Sequence, residues 1–174
     1  DGQKVFVIRD LKTPTSHRYD SWQLRIRPNA MVDNLLAGTN RLCAYDLETQ
    51  GKLVWEVDGA ARQDEMKGAF FLGAPLAIGQ SLYCLVENNS ERAIYLVALE
   101  RQTGKLQWRQ QLANLESGIL IDSKRRLQAA IPSYDEGILV CPTGVGAVVG
   151  IDLAKNALSW AYRYSTNNSF SKHM

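Results

Sequence analysis

The chain has 174 residues, of which 45% are hydrophobic and 22% charged, and 20 Lys and Arg against 18 Asp and Glu give a formal net charge of +2. This composition is that of a folded globular protein and excludes a disordered, a collagen-like or a small disulfide-rich chain. Because the charges are spread evenly, the sequence lacks the clustered positive charge of a nucleic-acid-binding surface, and no nucleic-acid partner is expected.

Short strand-like runs follow one another along the chain, separated by clusters of turn residues. Apolar runs rich in β-branched and aromatic residues, bounded by Gly, Asn, Asp and Ser, predict strands. The predicted strands, apart from short runs that end in Trp, are in chain order 4–9, 41–46, 70–78, 81–87, 94–99, 127–132, 137–141 and 148–153.

The longest non-repetitive stretch is an insertion at residues 11–40, between the first two predicted strands. It mixes aromatic and cationic side chains, as interface hot spots do, and long insertions on a rigid frame commonly carry binding groups. We therefore take it as a candidate partner-binding loop. The alternative is a loop that covers the edge of a sheet, with Trp22 buried beneath it. The candidate residues are His17, Arg18, Tyr19 and Trp22.

The densest basic run in the sequence is Lys124-Arg125-Arg126. Three adjacent positive charges are too few to follow a phosphate backbone, and short charged runs usually face solvent. We therefore predict a solvated turn at this position.

One segment recurs three times along the chain. Residues 44–55 read AYDLETQGKLVW, residues 98–108 repeat this pattern closely, and residues 150–160 repeat it more weakly. The final residues of the copies, Trp55, Trp108 and Trp160, lie 53 and 52 positions apart. So regular a period indicates a structural repeat.

Each copy is predicted to form a hairpin whose turn contains Gly51, Gly104 or Asn156. Glycine adopts a positive φ without cost and asparagine tolerates it better than most residues, so the same turn can survive the exchange. The first copy has one extra residue, Gln50, which predicts a longer turn there.

The third residue of each copy is acidic: Asp46, Glu100 and Asp152. Aspartate commonly accepts hydrogen bonds from backbone amides of the turn that follows it. We therefore expect a structural role for these residues before a catalytic one.

Four-stranded units of this length, each ending in Trp, are typical of β-propeller blades, which pack face to face around a channel. The repeat resembles the tryptophan-docking motif of the PQQ-like (quinoprotein-type) β-propeller family, with the pattern Ala-x-Asp-x-x-Thr-Gly-Lys-x-x-Trp. The resemblance implies that each Trp stacks on small and glycine positions of the adjoining blade. The motif residues are Ala44, Asp46, Gly51, Trp55, Ala98, Glu100, Gly104, Trp108, Gly150, Asp152, Asn156 and Trp160.

The implied fold is all-β, with blades of four antiparallel strands in an incomplete ring. About three blades are expected, at approximately residues 1–59, 68–113 and 119–164, followed by a tail at 165–174, and the first lacks an obvious innermost strand. Complete members of the family close a ring of roughly seven or eight blades. We therefore expect either part of a longer propeller or a subunit that completes a ring with other chains. Open edges also favour self-association.

The resemblance is compatible with more than one function. Quinoprotein dehydrogenases of this fold carry adjacent cysteines, a calcium site and an Asp base, whereas Cys43, Cys84 and Cys141 are far apart here. No catalytic, cofactor-binding or metal-binding residue is therefore assigned. The leading expectation is a non-catalytic scaffold for protein–protein interaction or assembly, without a cofactor. The alternatives are a fragment of a PQQ-dependent dehydrogenase, which would use PQQ and calcium, and a sensor domain of a signalling protein.

The location of the protein is expected to be periplasmic or otherwise extracytoplasmic, from the family resemblance alone. The first residues lack the features of a signal peptide, and no apolar stretch approaches the 18 residues of a membrane span. The three cysteines all lie in apolar runs and are expected to be small buried hydrophobic residues.

Overall fold

The chain folds into three antiparallel sheets, seen in a computed structural model that describes residues 3–10, 39–59, 65–119, 122, 125 and 128–164. Their strands are β1 (Lys4–Asp10), β2 (Asn40–Asp46), β3 (Lys52–Asp58), β4 (Ala69–Phe71), β5 (Leu76–Ile78), β6 (Ser81–Asn88), β7 (Ala93–Glu100), β8 (Leu106–Asn114), β9 (Ser133–Asp135), β10 (Ile138–Pro142), β11 (Ala147–Asp152) and β12 (Ala157–Arg163).

Each sheet is one blade of a propeller, and its strands are added in sequence order. The first blade has the order β1-β2-β3, the second β4-β6-β7-β8 with β5 also paired to β6, and the third β9-β10-β11-β12. Six predicted strands coincide with β1, β2, β6, β7, β10 and β11 to within one residue at either end. The predicted all-β fold of antiparallel blades in an open arc is confirmed.

The inner strands depart from the sequence prediction. The strand predicted at 127–132 is wrong, because the inner strand of the third blade is β9, which begins after Pro132. Ala130, within the predicted strand, instead donates its N–H to the carbonyl of Leu72 in the second blade, at 3.0 Å. The single strand predicted at 70–78 is divided into β4 and β5, and the interruption contains Pro75, which has no N–H to donate.

The predicted insertion at 11–40 is one residue too long, because Asn40 is the first residue of β2. Asn40 is buried, and its side-chain amide forms two hydrogen bonds with the backbone of Phe71 in the second blade. The Asn40 Nδ2 donates to the Phe71 carbonyl at 3.0 Å, and the Phe71 N–H donates to Oδ1 at 2.7 Å. An asparagine that resembles a turn residue in the sequence thus connects two blades.

The second blade is buried on both faces, which accounts for its nearly continuous apolar strands. Along β6, Leu82 and Cys84 pack in the cluster shared with the first blade, and Tyr83 and Leu85 pack in the cluster shared with the third. Successive side chains of a strand point to opposite faces, so a strand covered on both sides has no polar alternation. In the first blade, by contrast, β1 alternates between half-buried and exposed residues.

Candidate functional site

The three copies of the repeat share one cross-strand pair. Ala44 faces Trp55, Ala98 faces Trp108, and Gly150 faces Trp160 across neighbouring strands of the same blade. A Cβ atom on Gly150 would lie 2.2 Å from Cε2 of Trp160. The small first residue of the motif therefore admits the indole of its own blade, whereas the family resemblance implied that it accommodates the indole of the adjoining blade.

A β-bulge follows this small residue in all three blades. An extra residue on the outer strand reverses the side to which the following side chains point. In the second blade, Leu106 packs in the cluster shared with the first blade, and Trp108 packs in the cluster shared with the third. The bulge therefore sends the Leu and the Trp of the motif, only two positions apart, to opposite faces.

The indole of Trp55 contacts the turn of the next blade. A Cβ atom on Gly104, whose φ is 74°, would lie 2.6 Å from Cε3 of Trp55. The Trp55 Nε1 also donates a hydrogen bond to the carbonyl of Arg101 in the same turn, at 3.2 Å. Gly51 occupies the corresponding turn of the first blade with a φ of 79°, and a Cβ there would meet no atom within 4 Å.

The turn of the first copy is one residue longer than the turn of the second copy, as the extra Gln50 predicts. The Gly51 N–H donates to the carbonyl of Asp46, five residues back, and the Gly104 N–H donates to that of Glu100, four residues back, each at 2.8 Å. In the third turn Asn156 has a φ of 48°, so it takes the left-handed conformation without being glycine.

The acidic residues of the motif form local hydrogen bonds in these turns. Asp46 accepts from the N–H of Glu48 at 2.8 Å, and Asp152 accepts from the N–H of Ala154 at 2.9 Å. Glu100, whose side chain is longer, accepts from the hydroxyl of Thr103 instead of a backbone amide.

Replacing Trp108 by Ala is expected to lower the free energy of unfolding by about 2 kcal/mol, because the half-buried indole packs in the cluster between the second and third blades. Thermal or urea unfolding measures the change. Trp160→Ala is the matched control: Trp160 has the same cross-strand environment but is 40% exposed, and its loss should cost less than half as much. An unchanged stability of the Trp108 variant would contradict a packing role between blades.

Both outer faces of the arc expose apolar side chains. On β12, Trp160 is 40% and Tyr162 66% exposed, although Trp108, the counterpart of Trp160, is half-buried against the third blade. On the face of the first blade that points away from the second, Val5, Val7 and Leu53 are exposed. Exposed apolar faces of this kind mark surfaces that pack against other protein.

A buried ion pair lies where the second and third blades meet. Glu87, near the end of β6, is fully buried, and its Oε2 lies 3.4 Å from Nη2 of Arg125. The predicted solvated turn at Lys124-Arg125-Arg126 is therefore wrong for Arg125, which is only 9% exposed. Its two neighbours lie outside the described residues.

The connection between the two blades is bonded to this pair. Glu87 accepts a hydrogen bond from the N–H of Ile119, and Arg125 Nη2 donates to the carbonyl of Ser117 at 2.8 Å. Arg125 Nε also lies 3.3 Å from a carboxylate oxygen of Asp122. Burial raises the pKa of Glu87, while the positive charge of Arg125 and the bond from Ile119 act in the opposite direction.

A cavity of about 290 Å³ opens beside this ion pair. Glu87, Arg125 and Thr143 contribute polar groups to its wall, and Leu72 and Pro142 contribute apolar ones. This site was not predicted from the sequence. One signal was available: Glu87 continues the face of β6 that carries Tyr83 and Leu85, so a charge on a buried face required a partner.

The three cysteines are free thiols and buried, as predicted. Burial raises the pKa of the Cys141 thiol to about 12 and also raises that of Cys84. Thiols of this kind are protonated at neutral pH, and they act as packing groups.

Nowhere in the described ranges do three or more His, Cys, Asp or Glu side chains come together as candidate metal ligands. In the same ranges, no helix is long and apolar enough to cross a membrane.

The candidate loop residues His17, Arg18, Tyr19 and Trp22 lie outside the described part of the chain.

Successive antiparallel blades, with a repeat of 52 to 53 residues, define the class of protein: a β-propeller with PQQ-like repeats. Residues 92–170 match the family model described as outer membrane protein assembly factor BamB. The predicted resemblance to the PQQ-like propeller family is thereby confirmed. No curated protein is significantly similar to the chain in sequence.

Solved structures similar to the chain include one BamB and two quinohemoprotein alcohol dehydrogenases. BamB from Moraxella catarrhalis is 16% identical over 72% of this chain and 47% of its own, with a TM-score of 0.42. Quinohemoprotein alcohol dehydrogenases from Pseudomonas putida (19% identity, TM-score 0.47) and Comamonas testosteroni (16%, 0.48) each match 73% of this chain. The chain spans 25% and 26% of the two enzymes, and thus less than half of each of the three structures.

Proposed function

We propose that the chain is part of a non-catalytic propeller scaffold that acts in protein assembly outside the cytoplasm. The observation that carries the proposal is the match of residues 92–170 to the family described as an outer membrane protein assembly factor. The match covers the end of the second blade and all of the third, including the motif residues Trp108 and Trp160. The same family description supports the proposed extracytoplasmic location.

The outer faces of the arc support a role in packing against other protein. We propose that a further propeller blade covers the face that carries Trp160 and Tyr162. The reason is that Trp108, in the corresponding position of the preceding blade, is already covered by a blade. The face with Val5 and Val7 would receive a blade from the other side in the same way.

The proposed scaffold has no resident cofactor. Buried cysteines in three different strands do not supply the adjacent pair that the quinoprotein enzymes use. Among the described residues, the wall of the inter-blade cavity has one carboxylate, that of Glu87, which forms an ion pair with Arg125.

Deleting the gene of the protein in its source organism is expected to lower the amount of correctly assembled outer-membrane proteins. The measurement is the folded fraction of these proteins in isolated envelopes, and restoring the intact gene should reverse the loss. Unchanged assembly would contradict the proposal. Saturable binding of PQQ and calcium to the purified protein, with loss of quinone-dependent alcohol oxidation in the deletion strain, would favour the dehydrogenase instead.

A further inference from the structure

The cavity between the second and third blades has an electrically balanced wall. Among the described wall residues the charged ones are Glu87 and Arg125, which pair with each other at 3.4 Å. Glu87 is fully buried and Arg125 is only 9% exposed, so neither offers a free charge to the space between the blades. A charged ligand would lose hydration there without gaining an opposite charge. The cavity therefore favours an uncharged ligand.

The wall residues that do expose surface are mostly small or apolar. Ala130 and Pro142 are half-buried, and Ala129, Gly144 and Tyr164 are exposed. A Cβ atom on Gly144 would meet no atom within 4 Å, so the space beside this residue is open. Small side chains leave room for a ligand, and the rings of proline and tyrosine are groups against which another ring can pack.

Gln128 adds an uncharged polar group to the same wall. Its backbone N–H donates to the carbonyl of Arg125 at 3.2 Å, which holds the residue beside the cavity. Its side chain is exposed, and the amide can both donate and accept hydrogen bonds. A ligand that carries one N–H or O–H group can therefore be oriented by this side chain.

The volume of the cavity sets the size of the ligand. About 290 Å³ is roughly twice the volume of an apolar protein cavity of about 150 Å³ that holds one benzene. It is also close to the lower end of typical small-molecule sites, about 300 Å³. A group of one or two fused rings has the size that this space accepts.

We propose that this cavity binds an uncharged aromatic group of one or two rings, packed against Pro142 and Tyr164, with one N–H or O–H donated to the amide of Gln128. A free small molecule and a Trp or Tyr side chain of a partner protein offer the same chemistry. The inference does not depend on the assembly role, because every residue it uses belongs to the second and third blades, their connection or the residue after β12. Binding and outer-membrane assembly are measured independently, so one can fail without the other.

Indole is the first probe, titrated calorimetrically into the intact protein, and saturable binding is expected. 1-Methylindole, which lacks the N–H, should bind about two- to tenfold more weakly, as the loss of one hydrogen bond predicts. Tryptamine, a cation, and indole-3-acetate, an anion, should both bind more weakly than indole. Tighter binding of either charged analogue would overturn the proposal, because the wall would then offer a free charge.

Gln128→Leu should remove the difference in affinity between indole and 1-methylindole. Ala129→Phe should block the cavity and abolish binding while the melting temperature is retained, because Ala129 is exposed. Ala154→Phe is the matched control: Ala154 is also exposed, in the turn between β11 and β12, and lies outside the described wall, so the affinity should not change. Both wall variants are at exposed positions, so one remains informative if the other does not fold.

A capped Gly-Trp-Gly peptide forms the second arm of the experiment. Binding of the peptide supports a side chain of a partner protein, and binding of indole alone supports a free ligand. Binding of neither, or unchanged binding of indole to the Ala129→Phe variant, overturns the proposal.

Discussion

Replacing Arg125 by Met is expected to lower the free energy of unfolding by about 3–5 kcal/mol at pH 7. The substitution removes the cation that lies 3.4 Å from Glu87 and leaves a fully buried carboxylate without its charged partner. Breaking one side of a buried ion pair has a cost of this size, because the remaining charge is neither solvated nor compensated. Urea denaturation of the purified protein measures the loss.

The matched control for this variant is Arg109→Met. Arg109 also forms an ion pair, with Glu91 at 3.0 Å, but both side chains are more than one-third exposed. Its loss should cost about 1 kcal/mol or less, since exposed pairs contribute little. If the Arg125 variant is no less stable than the Arg109 variant, the buried pair does not stabilise the junction between the blades.

The stability deficit of the Arg125 variant should decrease as the pH is lowered. Burial already raises the pKa of Glu87 above the ordinary value of 4.5, and removal of the Arg125 charge raises it further. Between 4.5 and the raised value the folded state binds a proton that the unfolded state does not, so stability falls as the pH rises through this window. Urea midpoints at pH 5 and pH 7 test the sign. A deficit that grows on acidification would show that Glu87 is not the group responsible.

Replacing Gly104 by Ala is expected to lower the free energy of unfolding by about 2–5 kcal/mol. Part of the cost, about 1–2 kcal/mol, comes from an L-residue at a φ of 74°. The rest, about 1–3 kcal/mol, comes from the new methyl group, which would lie 2.6 Å from the ring of Trp55 and must displace it. Thermal and urea unfolding report the total.

Gly51→Ala separates the two contributions. Gly51 has nearly the same φ, 79°, and open space where the methyl group would go, so this variant should show only the backbone cost. In a Trp55→Leu background, the extra cost of Gly104→Ala should disappear, because the clashing ring is gone. Equal destabilisation by the two glycine substitutions would mean that the Trp55 indole does not hold the turn of the next blade.

Most of the strands could be predicted because a strand that is buried on both faces has a nearly continuous apolar sequence. The strands β6 and β7 lie between two other blades and are therefore apolar on both faces, which distinguishes them from the surrounding polar turns. The inner strands could not be predicted in the same way. β9 is only three residues long and each of its residues is exposed, so neither its length nor its burial separates it from a loop.

Neither the buried ion pair nor the bulge could be predicted from the sequence pattern, and the reasons differ. Glu87 and Arg125 are 38 positions apart, and a basic triplet in a turn has the same appearance in sequence whether or not one member is buried. The bulge breaks the two-residue period just before Trp108, so strict alternation would place Leu106 and Trp108 on the same face. The register between β7 and β8 shows that the side chains of Leu106 and Trp108 point to opposite faces of the blade.

The bulge also makes the two faces of each blade different from one another. One face presents the Leu of the motif and the other presents the Trp, and the Trp55 indole meets a turn glycine of the next blade, Gly104. Two such arcs related by a twofold axis would bring Trp faces together, with no turn glycine opposite either indole. A join that reproduces the contact between Trp and turn glycine is therefore heterologous and head-to-tail, and interfaces of that type either close into a ring or continue as a filament.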